Sequence, residues 1–123
     1  MKAMVIDDSR AIRSILGRML KEIGFETVEA ANGRLAIDSL AGQAAPDLAV
    51  VDWNMPEMNG YEFVCAVRAN PAYNAMRVMM VTTEADIDHV SKALEAGANE
   101  YLMKPFTKDA IAEKLALLGM APG

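Results

Sequence analysis

Three aspartates and one lysine stand directly after short apolar runs of the chain, and their residue types suit the binding of a cation and the handling of phosphate. Asp7 and Asp8 follow the first such run, Asp52 follows the third and Lys104 follows the last. If the runs are parallel β-strands, their carboxyl ends meet at one edge of the sheet, which is where open α/β sheets bind ligands. The spacing therefore predicts that the four side chains share one crevice.

Carboxylates that crowd into one crevice repel one another, by about 4 kcal/mol per pair at ~4 Å and an effective dielectric constant near 20. Lys104 supplies one positive charge, and oxygen ligands from two or three aspartates suit Mg²⁺, which keeps several waters and favours sites shared with phosphate oxygens. The pattern disfavours zinc, because the one histidine, His89, falls within a helical pattern and the one cysteine, Cys65, lies elsewhere. We therefore expect a magnesium site, with Cys65 as a small core residue and His89 as a surface residue.

A carboxylate beside Mg²⁺ and a lysine can act as a nucleophile toward a phosphoryl group, because the cations neutralise charge on the equatorial phosphoryl oxygens. Asp52 is the best candidate, because it follows the central apolar run and because Asn54 and Pro56 indicate a fixed loop that can turn a main-chain carbonyl toward the metal. Thr82 ends the fourth run and could donate its hydroxyl to a phosphoryl oxygen. Backbone N–H groups at the start of the following helix would add donors.

Short apolar runs alternate five times with helical patterns along the chain. The predicted strands cover residues 4–6, 27–30, 48–51, 78–81 and 101–103. Apolar residues at three- and four-residue spacing after each run predict five helices. The predicted inward-facing residues include Ile12, Ile15, Leu16, Ala36, Leu40, Phe63, Val67, Ile87, Leu94, Ile111 and Leu118. Strands joined by helices imply right-handed crossovers, so the pattern predicts an α/β fold with a parallel sheet covered by helices on both faces.

Residue types at the ends of the helical patterns agree with this division. Asp8 or Ser9 is available to cap the first helix, and Gly24 is available to end it. Gly97 ends the fourth helical pattern, and Thr107 precedes the fifth as a candidate N-cap. The boundaries of the first and last helices are therefore predicted from caps as well as from periodicity.

The 123-residue chain has the length of one domain, with 53% hydrophobic and 24% charged residues. No apolar run approaches the ~18 residues that cross a bilayer, and the first residues lead into a strand rather than a secretory signal, so we expect a cytoplasmic location. The net charge of −5 argues against nucleic acid or an anionic membrane as partners, because either would repel the chain. Residues 1–120 are expected to form the domain and residues 121–123 a frayed tail, with no output domain.

The whole chain resembles the receiver domain of two-component response regulators. The matching features, in family order and spacing, are the acidic pair Asp7 and Asp8, residues 52–56 with Gly60, residues 81–85, Tyr101 and residues 104–106. Trp53 and Asn54 are more similar to the single-domain chemotaxis branch than to the average receiver domain. The resemblance implies a flavodoxin-like (βα)5 fold with five parallel strands in the order 2-1-3-4-5.

The resemblance also implies a role for each residue of the crevice. Asp52 would accept phosphate from the phosphohistidine of a histidine kinase. Asp8, Asp52 and the main-chain carbonyl of Asn54 would hold Mg²⁺, with Asp7 assisting through a water molecule. Lys104 would pair with the phosphoryl group. The domain would then be a phosphoacceptor that assists its own phosphorylation and dephosphorylation, and not an enzyme in the usual sense.

In receiver domains the response to phosphate is a two-state switch. The hydroxyl at the position of Thr82 moves toward the phosphoryl group, and the ring at the position of Tyr101 fills the vacated space. The face formed by the fourth helix, fifth strand and fifth helix then changes its affinity for a partner such as the flagellar motor switch. Asn54 and Glu84 would flank the attacking water and tune dephosphorylation, and the peptide before Pro105 would be cis. The resemblance implies a monomer.

The sequence departs from the family pattern in two places. Thr83 occupies a position that alanine often holds, and a bulkier residue there is expected to hinder access of small donors or of water. Residues 86–89 open the fourth helix with little positive charge, so the switch face is less basic than in typical chemotaxis regulators. A different partner, or a weaker motor contact, is compatible with this face.

Three other functions share parts of the pattern. A haloacid-dehalogenase-type phosphatase also forms an aspartyl phosphate, but it has a second aspartate where this chain has Asn54, and its cap insertion is missing here. A nucleotide- or flavin-binding module would need a glycine-rich phosphate loop, which the sequence lacks. A phosphorelay intermediate, or an adaptor receiver that acts on a kinase or another protein, would have the same active-site residues. The site residues therefore leave this last alternative open.

Overall fold

A computed structural model describes residues 1–42 and 44–120, which form five strands and five α-helices. The strands are β1 (Lys2–Ile6), β2 (Glu26–Ala30), β3 (Leu48–Asp52), β4 (Arg77–Thr83) and β5 (Glu100–Lys104). The helices are α1 (Arg10–Ile23), α2 (Gly33–Leu40), α3 (Gly60–Arg68), α4 (His89–Ala96) and α5 (Lys108–Leu117). Short 3-10 turns at Pro71–Tyr73 and Glu84–Asp86 precede β4 and α4 respectively. The predicted tail, residues 121–123, lies outside the described residues.

All five strands are parallel and follow the order β2-β1-β3-β4-β5, which confirms the predicted α/β fold and strand order. Every residue of β3 is buried, because helices cover both faces of the sheet at its centre. The register places Asp52 opposite Val81 and Lys104 opposite Thr83. The carboxyl ends of β3, β4 and β5 therefore lie at the same edge of the sheet, with β4 and β5 extending two residues beyond the level of Asp52.

Two apolar clusters, one on each face of the sheet, hold the strands in place. One cluster packs α1 and α5 on the sheet through residues that include Leu16, Leu20, Ile111 and Leu115. The other packs α2, α3 and α4 through residues that include Ala36, Leu40, Phe63, Val64 and Ala93. Alternate residues of each strand enter opposite clusters, so the strands that carry the crevice residues are packed from both sides.

Side-chain caps define the starts of four helices. Ser9, Asn32, Asn59 and Thr107 each accept a hydrogen bond from a backbone N–H three residues later, at the starts of α1, α2, α3 and α5. Ser9 is thus the cap of the first helix, and Gly24, with φ of 124°, ends it as predicted. Among the five α-helices of the described chain, α4 alone has no side-chain cap hydrogen bond.

Three residues predicted to face the core are exposed. Val90 and Ala93, which belong to the same predicted stripe, are buried, whereas Ile87 and Leu94 are 37% and 41% exposed. Ile87 lies before α4, which begins only at His89. Leu94 on α4 and Ile15, 40% exposed on α1, have the apolar spacing but lie at the edge of the buried stripe of their helix.

The prediction that Cys65 belongs to the core is also wrong, because its side chain is exposed. The buried face of α3 is formed by Phe63, Val64 and Val67, and Cys65 lies one residue beyond Val64, about 100° further around the helix. His89 is exposed as predicted, but it is the first residue of α4 and not a mid-helix residue.

Within residues 1–42 and 44–120, no helix has both the length and the apolar content that crossing a membrane requires.

Candidate functional site

Three carboxylates converge at the carboxyl edge of the sheet. Asp7 directly follows β1, Asp8 comes next, and Asp52 is the last residue of β3, the strand beside β1. One carboxylate oxygen from each of the three lies within 4.8 Å of the others. Asp7 and Asp52 are buried, whereas Asp8 is exposed to solvent. The crevice is therefore reached from the side of Asp8.

Lys104 enters the crevice from the opposite side. It is the last residue of β5, and its Nζ lies 3.1 Å from Asp52 Oδ1 and 3.7 Å from Asp7 Oδ2. The amine donates a hydrogen bond to Asp52 Oδ1. One ammonium group balances only one of the three carboxylates, so the ionised cluster keeps a formal excess of negative charge.

Asp7 carries the clearest sign that a positive partner fits this site. Its Oδ1 accepts a hydrogen bond from the backbone N–H of Ser9 at 2.8 Å. Its Oδ2 is buried and has no hydrogen-bond partner among the described residues. A buried carboxylate oxygen without a donor is costly, and an all-oxygen donor set suits a hard divalent cation such as Mg²⁺.

The electrostatics of the two buried aspartates agree with that geometry. Burial raises the pKa of Asp7 above its ordinary value of 3.8, although the hydrogen bond from Ser9 and the charge of Lys104 act in the opposite direction. Burial also raises the pKa of Asp52, and the negative charge of Asp7 raises it further. The folded chain therefore disfavours its own negative charge at this edge unless a cation is added.

The raised pKa of Asp7 makes the effect of an Asp7→Asn substitution depend on pH. A carboxyl group whose pKa is higher in the folded state stabilises the fold fully below 3.8 and loses that contribution as the pH rises through the folded-state pKa. We expect Asp7→Asn to be more stable than the wild type by about 1 to 3 kcal/mol at pH 7, with the gap shrinking as the pH falls toward 4. Urea denaturation in EDTA at several pH values measures this gap.

Asp38→Asn is the matched control for that series, because Asp38 is an exposed carboxylate of α2 whose nearest cation, Arg34, lies 3.9 Å away. The control should differ little from the wild type at every pH, since exposed ion pairs contribute little. A gap for Asp7→Asn that stayed constant with pH would contradict the assignment of a buried, ionisable cluster.

The loop after Asp52 is held close to the sheet by its main chain. The backbone N–H of Trp53 donates to Val81 O at 2.9 Å, and Gly60 N–H donates to Trp53 O at 3.0 Å. A Cβ atom on Gly60 would lie 2.6 Å from Asp52 O and 3.0 Å from Trp53 Cα, so only glycine allows α3 to start this close to β3. Glu57 within the loop has φ of 65°, a strained value for a residue with a side chain.

The remaining predicted site residues have different environments. Thr82 is buried at the end of β4, and its hydroxyl makes only a long hydrogen bond, 3.4 Å, to Thr83 O. Tyr101 is partly buried on β5, while Asn54 and Glu84 are exposed. The peptide between Lys104 and the following proline, Pro105, is cis.

Three contacts at the site were missed by sequence reasoning. Arg13 donates a hydrogen bond from Nη1 to the carbonyl oxygen of Asp7 at 2.6 Å, and its Nε lies 3.1 Å from Glu29 Oε1. Arg13 thereby ties α1 and β2 to the residue that precedes Asp8. The hydroxyl of Thr83 donates to Asp86 Oδ2 at 3.2 Å. None of these contacts has a signal in periodicity, since all three depend on which polar residues the folded chain brings together.

The fold and the crevice define a class of protein. Residues 3–116 match the response regulator receiver domain family. The chain belongs to this family, whose members are signalling domains and not enzymes in the usual sense. The match favours this interpretation over a haloacid-dehalogenase-type phosphatase and over a nucleotide- or flavin-binding module.

Individual relatives narrow the class. The chain is 44% identical to the chemotaxis protein CheY homolog of Campylobacter jejuni, with all of this chain and 96% of the relative covered. It is 41% identical to the chemotaxis protein CheY1 of Helicobacter pylori, with 96% of each chain covered. The structure of the chemotaxis response regulator CheY4 of Vibrio cholerae superimposes with a TM-score of 0.85 at 33% identity, covering 97% of each chain. The sequence and the backbone thus both resemble single-domain chemotaxis regulators.

Proposed function

We propose that this chain is a phosphorylation-dependent switch of a two-component system, in which Asp52 accepts a phosphoryl group from the phosphohistidine of a histidine kinase. The observation that carries the proposal is the convergence of Asp7, Asp8 and Asp52 within 4.8 Å, with Lys104 bonded to Asp52. A cluster with this excess of negative charge is unfavourable on its own, and ionisable groups held in such an environment are typical of functional sites. A bound cation would offset the negative charge, and Asp52 would accept the incoming phosphoryl group. Its place at the carboxyl edge of a parallel sheet suits a ligand site.

Mg²⁺ is the metal that this donor set fits best. Asp8, Asp52 and the main-chain carbonyl of Asn54 would hold it, with Asp7 Oδ2 assisting through a water molecule. The bound ion supplies positive charge that neutralises phosphoryl oxygens. The buried Asp7 Oδ2, which has no donor among the described residues, supports this assignment independently of the family.

Phosphoryl transfer to Asp52 forms one bond to phosphorus and breaks another. A carboxylate oxygen of Asp52 forms a bond to phosphorus while the phosphorus–nitrogen bond of the phosphohistidine breaks, and the electron pair of that bond returns to the imidazole. Lys104, 3.1 Å from Asp52 Oδ1, is placed to pair with a phosphoryl oxygen. The hydroxyl of Thr82, which makes only a long hydrogen bond at present, is free to turn toward the phosphoryl group.

Loss of the phosphoryl group follows from attack by water on phosphorus, which releases inorganic phosphate and restores the Asp52 carboxylate. Asn54 and Glu84 are exposed, and in this proposal they flank the path of that water. They are therefore the residues that tune dephosphorylation in this proposal.

A cavity beside the crevice supports a protein as the phosphoryl donor. The cavity has a volume of about 500 Å³ and is lined by Ile12, Ile15, Thr83, Lys104, Pro105 and Phe106. Its lining is mainly apolar, and Lys104 belongs both to the cavity and to the site of phosphorylation. A donor protein that seated an apolar side chain there would cover the exposed Ile15 and hold its phosphohistidine near Asp52.

The output is a change in partner affinity at the face formed by α4, β5 and α5. Phosphorylation adds roughly −1.5 to −2 charge units, and switches of this kind are biased by about 1 to 3 kcal/mol, which is about 5- to 150-fold in affinity. Thr82 and Tyr101 would carry the change from Asp52 to this face. Similarity to chemotaxis regulators favours a cytoplasmic partner such as the flagellar motor switch. A pull-down with phosphorylated and unphosphorylated chain separates that output from a phosphorelay or adaptor role, in which a kinase or another receiver is captured.

Labelling with a small acyl-phosphate donor in Mg²⁺ tests the proposal. The intact mass should rise by one phosphoryl group, and reduction of the labelled chain with borohydride should convert Asp52 alone to homoserine. Omitting Mg²⁺ or adding EDTA should prevent the label. Multiple turnovers on a phosphate monoester, or a label on any other residue, would contradict the proposal. If small donors fail because Thr83 hinders them, a phosphorylated histidine kinase is the donor that decides.

The metal assignment predicts a thermal shift that depends on Asp8. Millimolar Mg²⁺ should raise the melting temperature of the wild type, because a ligand that binds only the native state stabilises it by about 2.7 kcal/mol at one hundred times its dissociation constant. Asp8→Asn should lose most of this gain, whereas Asp38→Asn, on the exposed face of α2, should keep it. Differential scanning fluorimetry with and without Mg²⁺ measures the shift in melting temperature. An unchanged response in Asp8→Asn would contradict the assignment of Asp8 as a Mg²⁺ ligand.

A further inference from the structure

An aromatic stack joins the loop after Asp52 to the start of α4. The imidazole of His89 lies on the indole of Trp53, with ring centroids 4.5 Å apart and planes inclined by 26°. The main chain of Trp53 is fixed on both sides, by a hydrogen bond to β4 and another from α3. Trp53 is thus a platform whose position depends directly on Asp52, the residue before it.

Two further contacts extend the stack. The ring of Tyr61 lies 6.3 Å from the ring of Trp53 at an angle of 54°, and Lys92 Nζ lies 4.5 Å from the centroid of Tyr61. His89 and Lys92 are both on α4, one helical turn apart, so they lie on the same side of that helix. From there His89 contacts Trp53 and Lys92 contacts Tyr61. The contacts link the phosphoacceptor loop, α3 and α4.

The start of α4 has few other attachments. Asp88, the residue before the helix, is in a helical conformation and its side chain caps no backbone N–H. The 3-10 turn Glu84–Asp86 before it also lacks a side-chain cap. The side chain of Val90 is buried and packs the start of α4 on the domain, and the exposed His89 lies about 100° around the helix from it. The stack on Trp53 therefore adds a second contact at the start of a helix that lacks a side-chain cap.

We propose that His89 is a positioning residue whose stack on Trp53 fixes the start of α4 and transmits the state of Asp52 to that helix. This inference rests on the proposed function for the transmitted signal, but the attachment of α4 is a property of the unmodified chain. When Asp52 gains a phosphoryl group, a displacement of its neighbour Trp53 reaches α4 through the ring contact. The switch then has a second path to α4 besides Thr82.

The tests use three full-length variants. His89→Ala removes the ring, His89→Phe keeps a ring for stacking, and Leu94→Ala removes an exposed apolar side chain from the same helix as a control. Hydrogen exchange of the backbone amides of residues 89–93 reports the attachment of α4. Acrylamide quenching of Trp53, the one tryptophan of the chain, reports how well its indole is covered.

In the unmodified chain, we expect His89→Ala to speed exchange at residues 89–93 by about 2- to 12-fold, the value of one aromatic pair, and to increase quenching of Trp53. His89→Phe should restore both readouts and Leu94→Ala should change neither. Wild-type exchange and quenching in His89→Ala would overturn the attachment of α4 through Trp53.

The transmitted signal is tested by repeating the exchange measurement after phosphorylation. His89→Ala should still take up label at Asp52 within about 2-fold of the wild-type rate, because His89 does not contact the crevice residues, yet residues 89–93 should respond less to the label. A full response in His89→Ala would overturn the transmission. Absence of label in the wild type would instead count against the proposed function, while the exchange of the unmodified variants would still decide whether the stack holds α4.

Discussion

An Asp52→Asn chain is expected to fold normally and to take up no phosphoryl group. The amide has no nucleophilic oxygen comparable to the carboxylate, so labelling should fall to background under conditions that label the wild type completely. The substitution also removes one of three crowded charges, and burial already raises the pKa of Asp52, so the variant should be at least as stable as the wild type in EDTA. Intact mass after exposure to donor and Mg²⁺, together with urea denaturation, measures both effects.

The combination of lost labelling and retained or increased stability distinguishes a chemical role from a structural one. Asp38→Asn should label at the wild-type rate, because Asp38 lies on the exposed surface of α2. The labelling and the stability of Lys104→Met should be compared with those of Asp52→Asn, since Lys104→Met removes the amine that bonds to Asp52 and leaves the nucleophile in place. Residual label in Asp52→Asn at the wild-type level would move the phosphoacceptor to another residue and end the proposal.

The crevice was predictable from sequence because strand ends are encoded locally. An apolar run that stops at a charged residue marks both the end of a buried strand and the polar side chain placed there, and parallel strands place such ends at one edge. Asp7, Asp52 and Lys104 follow this rule, and the structure brings them together. The same reasoning predicted the sheet, since continuous apolar runs leave few alternatives to a doubly covered parallel sheet.

The faces of the helices were less predictable, because apolar type does not fix the rotation of a short helix. Ile87 follows the 3-10 turn Glu84–Asp86 and precedes α4, and Leu94 lies about 100° around α4 from the buried Ala93, so both fall outside the buried stripe. Cys65 has an apolar side chain but occupies the opposite side of α3 from the sheet. Small shifts of phase of this kind depend on tertiary packing and not on local spacing.

Contacts made by polar and aromatic side chains other than the four strand-end residues were not predicted. His89 stacks on Trp53, which lies 36 positions earlier in the chain, and apolar periodicity carries no information about this pair. Such contacts depend on the final placement of loops and helix ends. They lie beside the crevice, where departures from simple patterning are expected to serve function.

Arg68 provides the strongest stability prediction of the molecule. From the end of α3 its guanidinium donates to Gly97 O at 2.9 Å, Tyr73 O at 3.0 Å and Met76 O at 2.7 Å, and also to Asn99 Oδ1 at 2.9 Å. These acceptors lie in two separate segments, the one between α3 and β4 and the one between α4 and β5. Burial lowers the pKa of Arg68, but the planar array of N–H donors keeps the guanidinium bonded to these four acceptors.

Arg68→Met should destabilise the fold by about 2 to 4 kcal/mol, because hydrogen bonds from a charged group contribute more than neutral ones and their acceptors would be left unpaired. Arg68→Lys should recover only part of the loss, since an ammonium cannot reach four acceptors in a planar fork. Arg18→Met on the exposed face of α1 is the control and should change stability little. Urea denaturation measures all three.

The location of Arg68 makes a second outcome specific. Arg68 bonds to the segments at the end of the sheet where β4 and β5 begin, whereas Asp52 and Lys104 lie at the end where the strands finish. Below its melting transition Arg68→Met should therefore accept label at Asp52 at close to the wild-type rate, despite its lower stability. If Arg68→Met lost labelling while still folded, this separation would be contradicted, because the hydrogen bonds of Arg68 at one edge of the sheet would then affect phosphorylation of Asp52 at the other.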